Sequence, residues 1–500
     1  MKNKISVLMI AAEAHPLAKV GGLADVIGAL PRALAELGND VTIALPHYKA
    51  IKAKKIRVEK IAGVHEVEID VDGSKLAGTV RATKLDGGVR VLLIGNDRLF
   101  GRDGIYTEPA TGKEYPDNPQ RFIFFTKAVL EVLRTLQASG PVPDVIHCHD
   151  YQSGFVPAWL KTFPDRYDFL ADVATVFTIH NLGYQGVYPA SVGRLAGFGP
   201  EAIAPMGPIE YYGKVNMMKA GIVFGDRITT VSPTYAREIQ TAEYGCGLEG
   251  VLKSRSADLL GIMNGADYSV WDPAIDRLIP ANYGRSDTRG KTECKRNLIR
   301  ALALKAAEDR PLVGMISRLV GQKGFDITTE AIDALMGLGI NMAILGMGEK
   351  KYHDALAACA KRFPGRVSVT LGFDEQLAHL IEAGCDMFLM PSKYEPCGLN
   401  QLYSMRYGTV PIVRRTGGLA DSVRDFAESD SSTGFAFGDY DARSLVAAVE
   451  RAVKVFAQKD QWAALMARSM AEDFSWGRAA KAYESLYCEV LGRKRVVSAS

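Results

Sequence analysis

The sequence has no C-x-x-C pair, although it contains seven cysteines. An odd number of cysteines without paired spacing argues against a disulfide framework or a zinc site and fits a reducing compartment, so we expect a cytoplasmic protein. No apolar run approaches the length needed to cross a bilayer. The run that begins at Ile5 is interrupted by Glu13 and His15, which favours a first strand over a signal peptide.

A strong excess of charge of one sign is also missing. Lys and Arg number 60 against 57 Asp and Glu, a formal net charge of +3, which is no footprint for nucleic acid or an anionic membrane. We therefore expect neither partner, and any positive potential must be local. The stretch Gly346-Met347-Gly348-Glu349 lacks the third glycine of the G-x-G-x-x-G pattern, which disfavours a nicotinamide-dependent dehydrogenase.

Short apolar runs alternate with helical patterns along most of the 500 residues. This length is too great for one ordinary core, and strand–helix alternation predicts parallel sheets covered on both faces. The alternating stretch "VHEVEIDVDG" predicts an antiparallel hairpin attached to the first sheet. We therefore expect an α/β protein with two doubly wound halves that meet near residues 250–265, with a hinge and a cleft rather than a flexible linker. The strand candidates are "ISVLMIAA", "DVTIALP", "VRVLLIG", "DVIHCHD", "VATVFTIH" and "RITTVS" in the first half, and "PLVGMISRL", "NMAILGMGE", "RVSVTLGF", "DMFLMPSKYEP" and "TVPIVRRTGG" in the second.

Polar residues and glycines follow the predicted strands. In parallel α/β sheets, ligands bind beyond the carboxyl ends of the strands, so these positions are candidates for one site that both halves share. They are Asp150, His180, Ser232, Asn264, Arg318, Gly346, Glu395 and Arg414 to Thr416.

The pentapeptide GGLAD occurs twice, at 21–25 and at 417–421. Each copy lies between a predicted strand and a predicted helix, where backbone N–H groups and the helix dipole favour an anion. Paired glycines allow the backbone to approach a phosphate closely. Either loop alone is also compatible with a tight turn that binds nothing, but two copies at equivalent places favour a phosphate-binding role.

The motif "HCHD" at 147–150 has the residue types of a metal site. Along a strand, His147 and His149 share one face while Cys148 and Asp150 share the other, so four convergent ligands are improbable. We expect no metal. Asp150, at the strand end, is the residue expected to face a ligand, with a helix cap as the alternative.

Several longer motifs resemble one family closely. "KVGGLADVIGALPRAL", "HDYQSG", "FTIHNLGYQG", "NGAD", "SRLVGQKGFD" and "PSKYEPCGLNQLYSMRYGTVPIVRRTGGLADSV" are similar to bacterial glycogen synthases and plant starch synthases (family GT5), from about residue 5 to about residue 480. The resemblance implies the GT-B fold, in which two Rossmann-like domains face a cleft. It also implies transfer of glucose from ADP-glucose to the non-reducing end of an α-1,4-glucan, with retention of anomeric configuration and without a metal or other cofactor. The expected domains are 1–255 on the acceptor side, 256–478 on the donor side, and a C-terminal helix, 479–500, that packs back on the first domain.

The same resemblance assigns roles to individual residues. Lys19 with Gly21 and Gly22 matches the donor loop, with Val20 where threonine is common. Arg318 and Lys323 match the pair that grips the donor diphosphate, and Glu395 matches the carboxylate that binds the hydroxyls of the donor glucose. The other expected contacts are His180 beside the transferred sugar, Asp150 near the acceptor, Asn264 at the sugar, Cys397, Gly398 and Leu399 through backbone N–H groups, and Asp25, Thr416, Gly417 and Gly418 in the donor loops. Many GT-B enzymes have a second glutamate eight positions after the first, but Tyr403 stands there, so the ribose contact is unassigned.

Simpler explanations exist for each of these residues. His180 is also compatible with a hydrogen-bonded histidine at a strand end, Arg318 and Lys323 with solvated surface charges, and Glu395 with an ordinary loop carboxylate. Cys397 has no base nearby in the sequence, so we interpret it as a small residue in a tight loop rather than a nucleophile.

Two other function classes share parts of this pattern. An α-glucan phosphorylase has the same two-domain plan but needs a lysine that binds pyridoxal phosphate. A non-catalytic glucan- or nucleotide-binding protein is the third possibility. The oligomeric state, the acceptor chain length and the choice between ADP- and UDP-glucose do not follow from the residues.

Overall fold

The structure is a computed structural model that describes residues 4–54, 56–71, 73–138, 140–305 and 307–498. The chain divides into two compact units. Unit 1 comprises residues 1–231, 236–262 and 476–500, and unit 2 comprises residues 232–235 and 263–475. In the described part of the chain, no helix is both long and apolar enough to span a membrane.

Unit 1 is built on a large sheet. Within the described residues this sheet has ten strands, in the order β13-β12-β8-β7-β1-β2-β6-β5-β3, with β4 paired to β5, and a separate three-stranded sheet has the order β10-β11-β9. The strands are β1 (Ser6–Ile10), β2 (Asp40–Pro46), β3 (Glu59–Lys60), β4 (Glu66–Val71), β5 (Ser74–Lys84), β6 (Arg90–Gly95), β7 (Val145–His149), β8 (Ala174–Ile179), β9 (Val187–Pro189), β10 (Glu210–Tyr211), β11 (Lys214–Asn216), β12 (Arg227–Thr230) and β13 (Leu259–Gly261).

The run from β13 to β6 is parallel, whereas β3, β4 and β5 pair antiparallel. The central strands are buried along nearly their whole length, as expected for a parallel sheet that is covered on both faces. β4 instead alternates exposed and buried residues, beginning with exposed Glu66 and buried Val67, which is why its sequence pattern predicted an antiparallel hairpin.

Helices cover the sheet of unit 1. They are α1 (Gly22–Glu36), α2 (Lys49–Ala53), α3 (Asp97–Phe100), α4 (Asn118–Leu136), α5 (Phe155–Thr162), α6 (Ser191–Leu195), α7 (Pro200–Ile203), α8 (Met217–Phe224), α9 (Pro233–Glu238), α10 (Glu249–Ser254) and, from the end of the chain, α20 (Trp476–Ser498). One of the divisions between the units, after residue 235, falls within α9.

The last helix, α20, packs against α1 and the sheet of unit 1. Its Glu484 accepts a hydrogen bond of 3.1 Å from the side chain of Asn39. Its Tyr487 is fully buried and lies 2.8 Å from a ring nitrogen of His147. The C-terminal helix therefore completes the core of the first unit.

Unit 2 has a parallel sheet of six strands in its described residues, in the order β16-β15-β14-β17-β18-β19. The strands are β14 (Leu312–Ile316), β15 (Asn341–Gly346), β16 (Val367–Leu371), β17 (Met387–Met390), β18 (Val410–Arg414) and β19 (Phe435–Phe437). The helices are α11 (Arg289–Ala301), α12 (Phe325–Glu330), α13 (Ile332–Gly337), α14 (Lys350–Arg362), α15 (Glu375–Gly384), α16 (Asn400–Arg406), α17 (Gly417–Ser422), α18 (Ala442–Phe456) and α19 (Lys459–Met470).

Apolar strand residues such as Val313, Met342 and Ile412 pack against helix residues such as Leu445 and Val449 in one buried cluster. Because all six strands are parallel, their carboxyl ends meet at one edge of the sheet, and the loops at that edge carry most of the candidate residues of this unit.

Candidate functional site

The sequence-predicted residues divide between the two units. Unit 1 holds Lys19, Gly21, Gly22, Asp25, Asp150 and His180, and unit 2 holds Asn264, Arg318, Lys323, Glu395, Cys397, Gly398, Leu399, Thr416, Gly417 and Gly418. Ser232, which follows the last long strand of the first half in sequence, groups with unit 2, where its hydroxyl donates to the carbonyl of Pro396 at 2.7 Å.

The first GGLAD loop is shaped by a carboxylate that sequence reasoning missed. Glu13 is only 4% exposed. Its Oε2 accepts hydrogen bonds from the N–H groups of Val20 and Gly21, at 2.5 and 2.9 Å, and its Oε1 accepts one from the hydroxyl of Tyr106 at 2.7 Å. A buried carboxylate with three donors fixes the loop between β1 and α1 in one conformation. A carboxylate three residues after a buried strand was the signal in the sequence that could have identified it.

The outer side of this loop is open. A Cβ atom built on Gly21 or Gly22 would meet no atom within 4 Å. The neighbouring Lys19 is partly exposed, and its Nζ lies 2.6 Å from Oδ1 of Asp25. The amino-terminal end of the 15-residue helix α1 thus combines open backbone with a nearby ammonium group, a combination that suits a phosphate.

Asp150 and His180 lie at the ends of the neighbouring strands β7 and β8. Asp150 has φ = 56°, a conformation that non-glycine residues adopt rarely. Its Oδ1 accepts a hydrogen bond of 2.7 Å from the N–H of His180. Burial raises the pKa of Asp150 to about 7, although the N–H groups of His180 and Asn181 act in the opposite direction. The carboxyl group of Asp150 therefore titrates near neutral pH and contacts the backbone of His180 at the end of the next strand.

His180 is held by a second histidine. Its Nε2 lies 3.0 Å from Nδ1 of His149, and burial lowers the pKa of His180 to about 3 and that of His149 well below the usual range. Both rings are therefore neutral, so one nitrogen donates and the other accepts. The ring of His147 lies against that of His149, with centroids 4.0 Å apart and the planes tilted by 36°, and its two nitrogens contact the hydroxyls of Tyr487 and Thr178. The histidines of "HCHD" thus form a polar network that orients His180.

In unit 2, two loops at the carboxyl edge bring Lys323 and Glu395 together. Lys323 closes the short 3₁₀ turn Gly321–Lys323 after β14, and Glu395 lies in the loop after β17. The distance from Nζ of Lys323 to Oε2 of Glu395 is 2.6 Å, with side chains 19% and 7% exposed. Ser392 donates a further hydrogen bond of 2.9 Å to the same carboxylate oxygen. Lys323 and Glu395 therefore form a largely buried ion pair and are not solvated surface charges.

The two loops are locked by backbone contacts. Gly324 has φ = 77°, and a Cβ there would lie 2.1 Å from the carbonyl oxygen of Pro391. The N–H of Lys393 donates to the carbonyl of Gln322 at 2.8 Å. Arg318 is exposed on the same segment, between β14 and the 3₁₀ turn. The basic pair and Glu395 therefore occupy one edge of the sheet of unit 2.

The second GGLAD loop is packed, unlike the first. Gly417 has φ = 44°, and a Cβ there would lie 1.9 Å from the carbonyl oxygen of Glu395, while one on Gly418 would lie 2.1 Å from that of Cys397. The N–H of Gly418 donates to the carbonyl of Glu395 at 3.1 Å. The glycines of this copy allow α17 to pack closely against the Glu395 loop. The same pentapeptide therefore forms an open turn in unit 1 and a close backbone contact in unit 2.

Cys397 and Asn264 lie next to that contact. Burial raises the pKa of Cys397 to about 12, and the backbone of Asn264 hydrogen-bonds to the Cys397 side chain. The thiol is thus neutral and poorly suited to act as a nucleophile. The side-chain oxygen of Asn264 is buried without a hydrogen-bond partner among the described residues, which is unusual for a polar atom and consistent with a ligand contact. Gly398 has φ = 73° and Leu399 precedes α16.

Tyr403, at the position of the second glutamate, belongs to the interior. Its ring stacks on Trp271 with centroids 4.3 Å apart, and Trp271 stacks in turn on His379 at 3.8 Å. Asp276 accepts hydrogen bonds from Nδ1 of His379 at 2.8 Å and from the hydroxyl of Tyr407 at 2.6 Å. An aromatic stack supported by a buried carboxylate therefore occupies this region of unit 2.

The comparisons with known proteins decide the family. A family model for the starch synthase catalytic domain matches residues 6–254, and a model for glycosyl transferases group 1 matches residues 302–463. Glycogen synthase 2 of Geobacter metallireducens is 44% identical over 97% of this chain and 98% of its own length. The chain belongs to the glycogen and starch synthase family of glycosyltransferases. A glycogen synthase of Moorella thermoacetica is 42% identical over 99% of both chains.

Among solved structures, the catalytic domain of starch synthase IV from Arabidopsis thaliana, bound to ADP and acarbose, is 35% identical with a TM-score of 0.88, covering 98% of this chain and 100% of that one. A sucrose-phosphate synthase from Thermosynechococcus elongatus, at 16% identity and a TM-score of 0.58, shares the fold. These matches confirm the predicted family and the GT-B fold with its two Rossmann-like domains. They also show that the present chain is a glycosyltransferase. The roles of the individual site residues stay predictions.

Proposed function

We propose that this glycosyltransferase transfers glucose from ADP-glucose to the non-reducing end of an α-1,4-glucan, with retention of configuration and without a metal ion. The observation that carries the proposal is the full-length likeness to a starch synthase domain bound to ADP and acarbose. ADP is the nucleotide that remains when ADP-glucose has donated its sugar, and acarbose resembles an α-glucan chain. The free cysteines of the described residues fit a reducing compartment, and we propose the cytoplasm as the site of the reaction.

Each unit, taken by itself, offers groups that suit the diphosphate of a sugar nucleotide. In unit 2, Arg318 and Lys323 supply positive charge at the carboxyl edge of the sheet. In unit 1, the open end of α1 supplies backbone N–H groups beside Lys19. Such groups stabilise the negative charge that grows on the diphosphate as the glycosidic bond breaks. Glu395 binds hydroxyls of the donor glucose, and its ion pair with Lys323 couples recognition of the sugar to recognition of the phosphate.

The two candidate carboxylates support direct attack on the same face of the sugar. Double displacement requires a carboxylate that is free to form a bond with the anomeric carbon. Glu395 is committed to Lys323 and Ser392. Asp150 has a pKa raised to about 7 by burial and accepts backbone hydrogen bonds. Neither carboxylate is therefore free to act as a nucleophile.

In the proposed step the bond between C1 of glucose and the diphosphate oxygen breaks while the acceptor hydroxyl forms its bond with C1 on the same face. The hydroxyl proton passes to the departing phosphate oxygen. His180, neutral because burial lowers its pKa to about 3, donates or accepts a hydrogen bond to the sugar without adding charge. Asp150 lies beside it and orients the acceptor.

The test offers labelled ADP-glucose, labelled UDP-glucose and labelled glucose 1-phosphate separately, with glycogen as acceptor and EDTA present. We expect polymer-bound label from ADP-glucose at undiminished rate in EDTA. Label incorporated only from UDP-glucose, or only when a divalent cation is added, would contradict the donor or the metal independence. Incorporation only from glucose 1-phosphate, with a pyridoxal absorbance band in the purified protein, would identify a phosphorylase instead.

A further inference from the structure

A tyrosine in unit 1 occupies a turn position that tyrosine disfavours. Strands β10 and β11 are joined by Tyr212 and Gly213, whose φ values are 49° and 76°. Two positive φ values in a two-residue hairpin loop define a type I′ turn, for which Asn-Gly is the preferred sequence. The Tyr212 side chain is nevertheless 82% exposed. A bulky residue that is strained and solvated at once suggests a function other than folding.

A second loop tip beside it has the same character. Met206 has φ = 68° and is 94% exposed. The carboxylate of Glu210 joins the two tips, because its Oε2 accepts from the N–H of Met206 at 3.3 Å and its Oε1 accepts from the N–H of Gly213 at 2.8 Å. Lys219 donates from below to the carbonyls of Gly207 and Glu210, at 3.0 and 2.6 Å. The exposed side chains are therefore held on a rigid base.

The neighbouring ring connects these tips to the candidate site of the same unit. The rings of Tyr211 and Tyr212 are 4.8 Å apart and nearly perpendicular, at 83°. The hydroxyl of Tyr211 donates to the carbonyl of Cys246 at 2.9 Å, and the side chain of Gln185 donates to the same oxygen at 3.0 Å. Gln185 lies on the loop that begins at His180, next to Tyr184, which is 50% exposed. We call Tyr184, Met206, Tyr211 and Tyr212 the tyrosine platform.

We infer that the tyrosine platform binds a segment of the α-glucan acceptor away from its reacting end. This inference rests on the proposed function, because it presumes a glucan substrate. Sugar rings present apolar C–H faces together with neutral hydroxyl groups, and exposed tyrosine rings match both, through the ring face and the phenolic oxygen. Exposed apolar side chains grouped on one surface commonly mark a binding site. The loop that begins at His180 also carries Tyr184, so the platform includes a residue four positions from the expected sugar contact.

The test replaces Tyr212 with Asn, which removes the ring but supplies the residue that the turn prefers, so the fold is kept. A second variant, Tyr212→Phe, keeps the ring. The matched control is Phe373→Asn, which removes an aromatic side chain that is 84% exposed in unit 2. Glycogen affinity is measured by affinity electrophoresis and KM is measured with glycogen and with maltotriose as acceptors.

We expect Tyr212→Asn to weaken glycogen binding and raise its KM by about three- to tenfold, the effect of losing one aromatic stacking contact, with a much smaller change for maltotriose. Tyr212→Phe, which keeps the ring face, should retain most of the glycogen affinity, and Phe373→Asn should bind glycogen like the wild type. Unchanged glycogen affinity in Tyr212→Asn, or an equal loss in Phe373→Asn, would overturn the inference. Because affinity electrophoresis needs no sugar nucleotide, failure of the proposed transfer reaction would be seen separately in the wild type.

Discussion

Replacing Lys323 by alanine separates a catalytic role of the Lys323–Glu395 pair from a structural one. The pair is largely buried, with 2.6 Å between Nζ and Oε2. After the substitution, the carboxylate of Glu395 keeps the hydrogen bond from Ser392 but loses the ammonium group that pairs with it. Both the free energy of unfolding and the activity on the donor should therefore fall. The size of the activity loss relative to the stability loss distinguishes a catalytic role from a structural one.

The expected size follows from what remains. A hydrogen bond to a charged group contributes about 1.5–3 kcal/mol to the free energy of unfolding, and the retained Ser392 contact keeps the loss within that range rather than the larger one for a fully abandoned buried charge. Loss of one group that stabilises developing negative charge lowers kcat by about 10²–10³-fold. The activity effect should thus exceed the stability effect.

A second ion pair in the same unit serves as the control. Lys295 lies 2.7 Å from Asp386, with side chains 7% and 13% exposed, and it also donates to the carbonyls of Glu308 and Arg310. Lys295→Ala should therefore lose at least as much stability as Lys323→Ala but retain kcat on ADP-glucose within about threefold at a temperature where both variants are folded, as expected for a substitution far from a functional group.

The assay combines urea unfolding, followed by circular dichroism, with initial rates of glucosyl transfer for the two variants and the wild type. A larger stability loss in Lys295→Ala together with a larger activity loss in Lys323→Ala is the expected crossed pattern. If the activity of each variant falls in proportion to its stability, Lys323 has no role beyond folding and the reasoning is refuted.

Four further substitutions test other parts of the site. Glu13→Gln should raise KM for the sugar nucleotide by about tenfold, since an amide cannot accept all three hydrogen bonds of the carboxylate and each charged one contributes about 1.5–3 kcal/mol; equal changes in KM for donor and glycogen would argue against a role in the donor loop. Gly418→Ala should lower Tm by several degrees because overpacking costs about 1–3 kcal/mol. Gly22→Ala, in the open loop, should leave Tm unchanged and raise KM for the donor. A larger loss of Tm in Gly22→Ala than in Gly418→Ala, measured by differential scanning calorimetry, would contradict the distinction between the two loops. Asp150→Asn tests the raised pKa of Asp150. Between pH about 4 and about 7 the wild-type carboxyl is protonated in the folded state but ionised in the unfolded state, so wild-type stability should fall relative to the variant as pH rises through that window and stay level above it. A stability advantage of the wild type that grows with pH in urea titrations would contradict this.

The fold was predictable because its strands are short apolar runs separated by helical patterns. Buried parallel strands such as β7 and β15 leave that signature in the local sequence, and their shared direction places the residues after them at one edge. The positions of Asp150 and His180 at the ends of strands followed from that rule, whereas the pairing of those two strands came from the structure. The hairpin of β4 and β5 was recognisable for the opposite reason, because one face of β4 is exposed and its residues alternate.

What the sequence did not reveal depends on contacts between distant segments. The two GGLAD copies are identical locally, and only the approach of the Glu395 loop to Gly417 distinguishes a packed turn from an open one. Glu13 is an isolated carboxylate in the sequence, and its role appears only when Tyr106 lies against it. Tyr403 occupies an aromatic stack whose partners, Trp271 and His379, are far from it along the chain. Periodicity and spacing carry no information about such partners.

The most direct test of glucosyl transfer with retention is proton NMR of a reaction containing ADP-glucose and maltotriose. We expect the first product to be maltotetraose with a new α-configured linkage at the non-reducing end, formed in step with ADP and without any glucosyl adduct on the protein by mass spectrometry. A β-configured linkage, a covalent glucosyl–enzyme on Asp150 or Glu395, or release of free glucose in place of chain extension would contradict the proposed reaction.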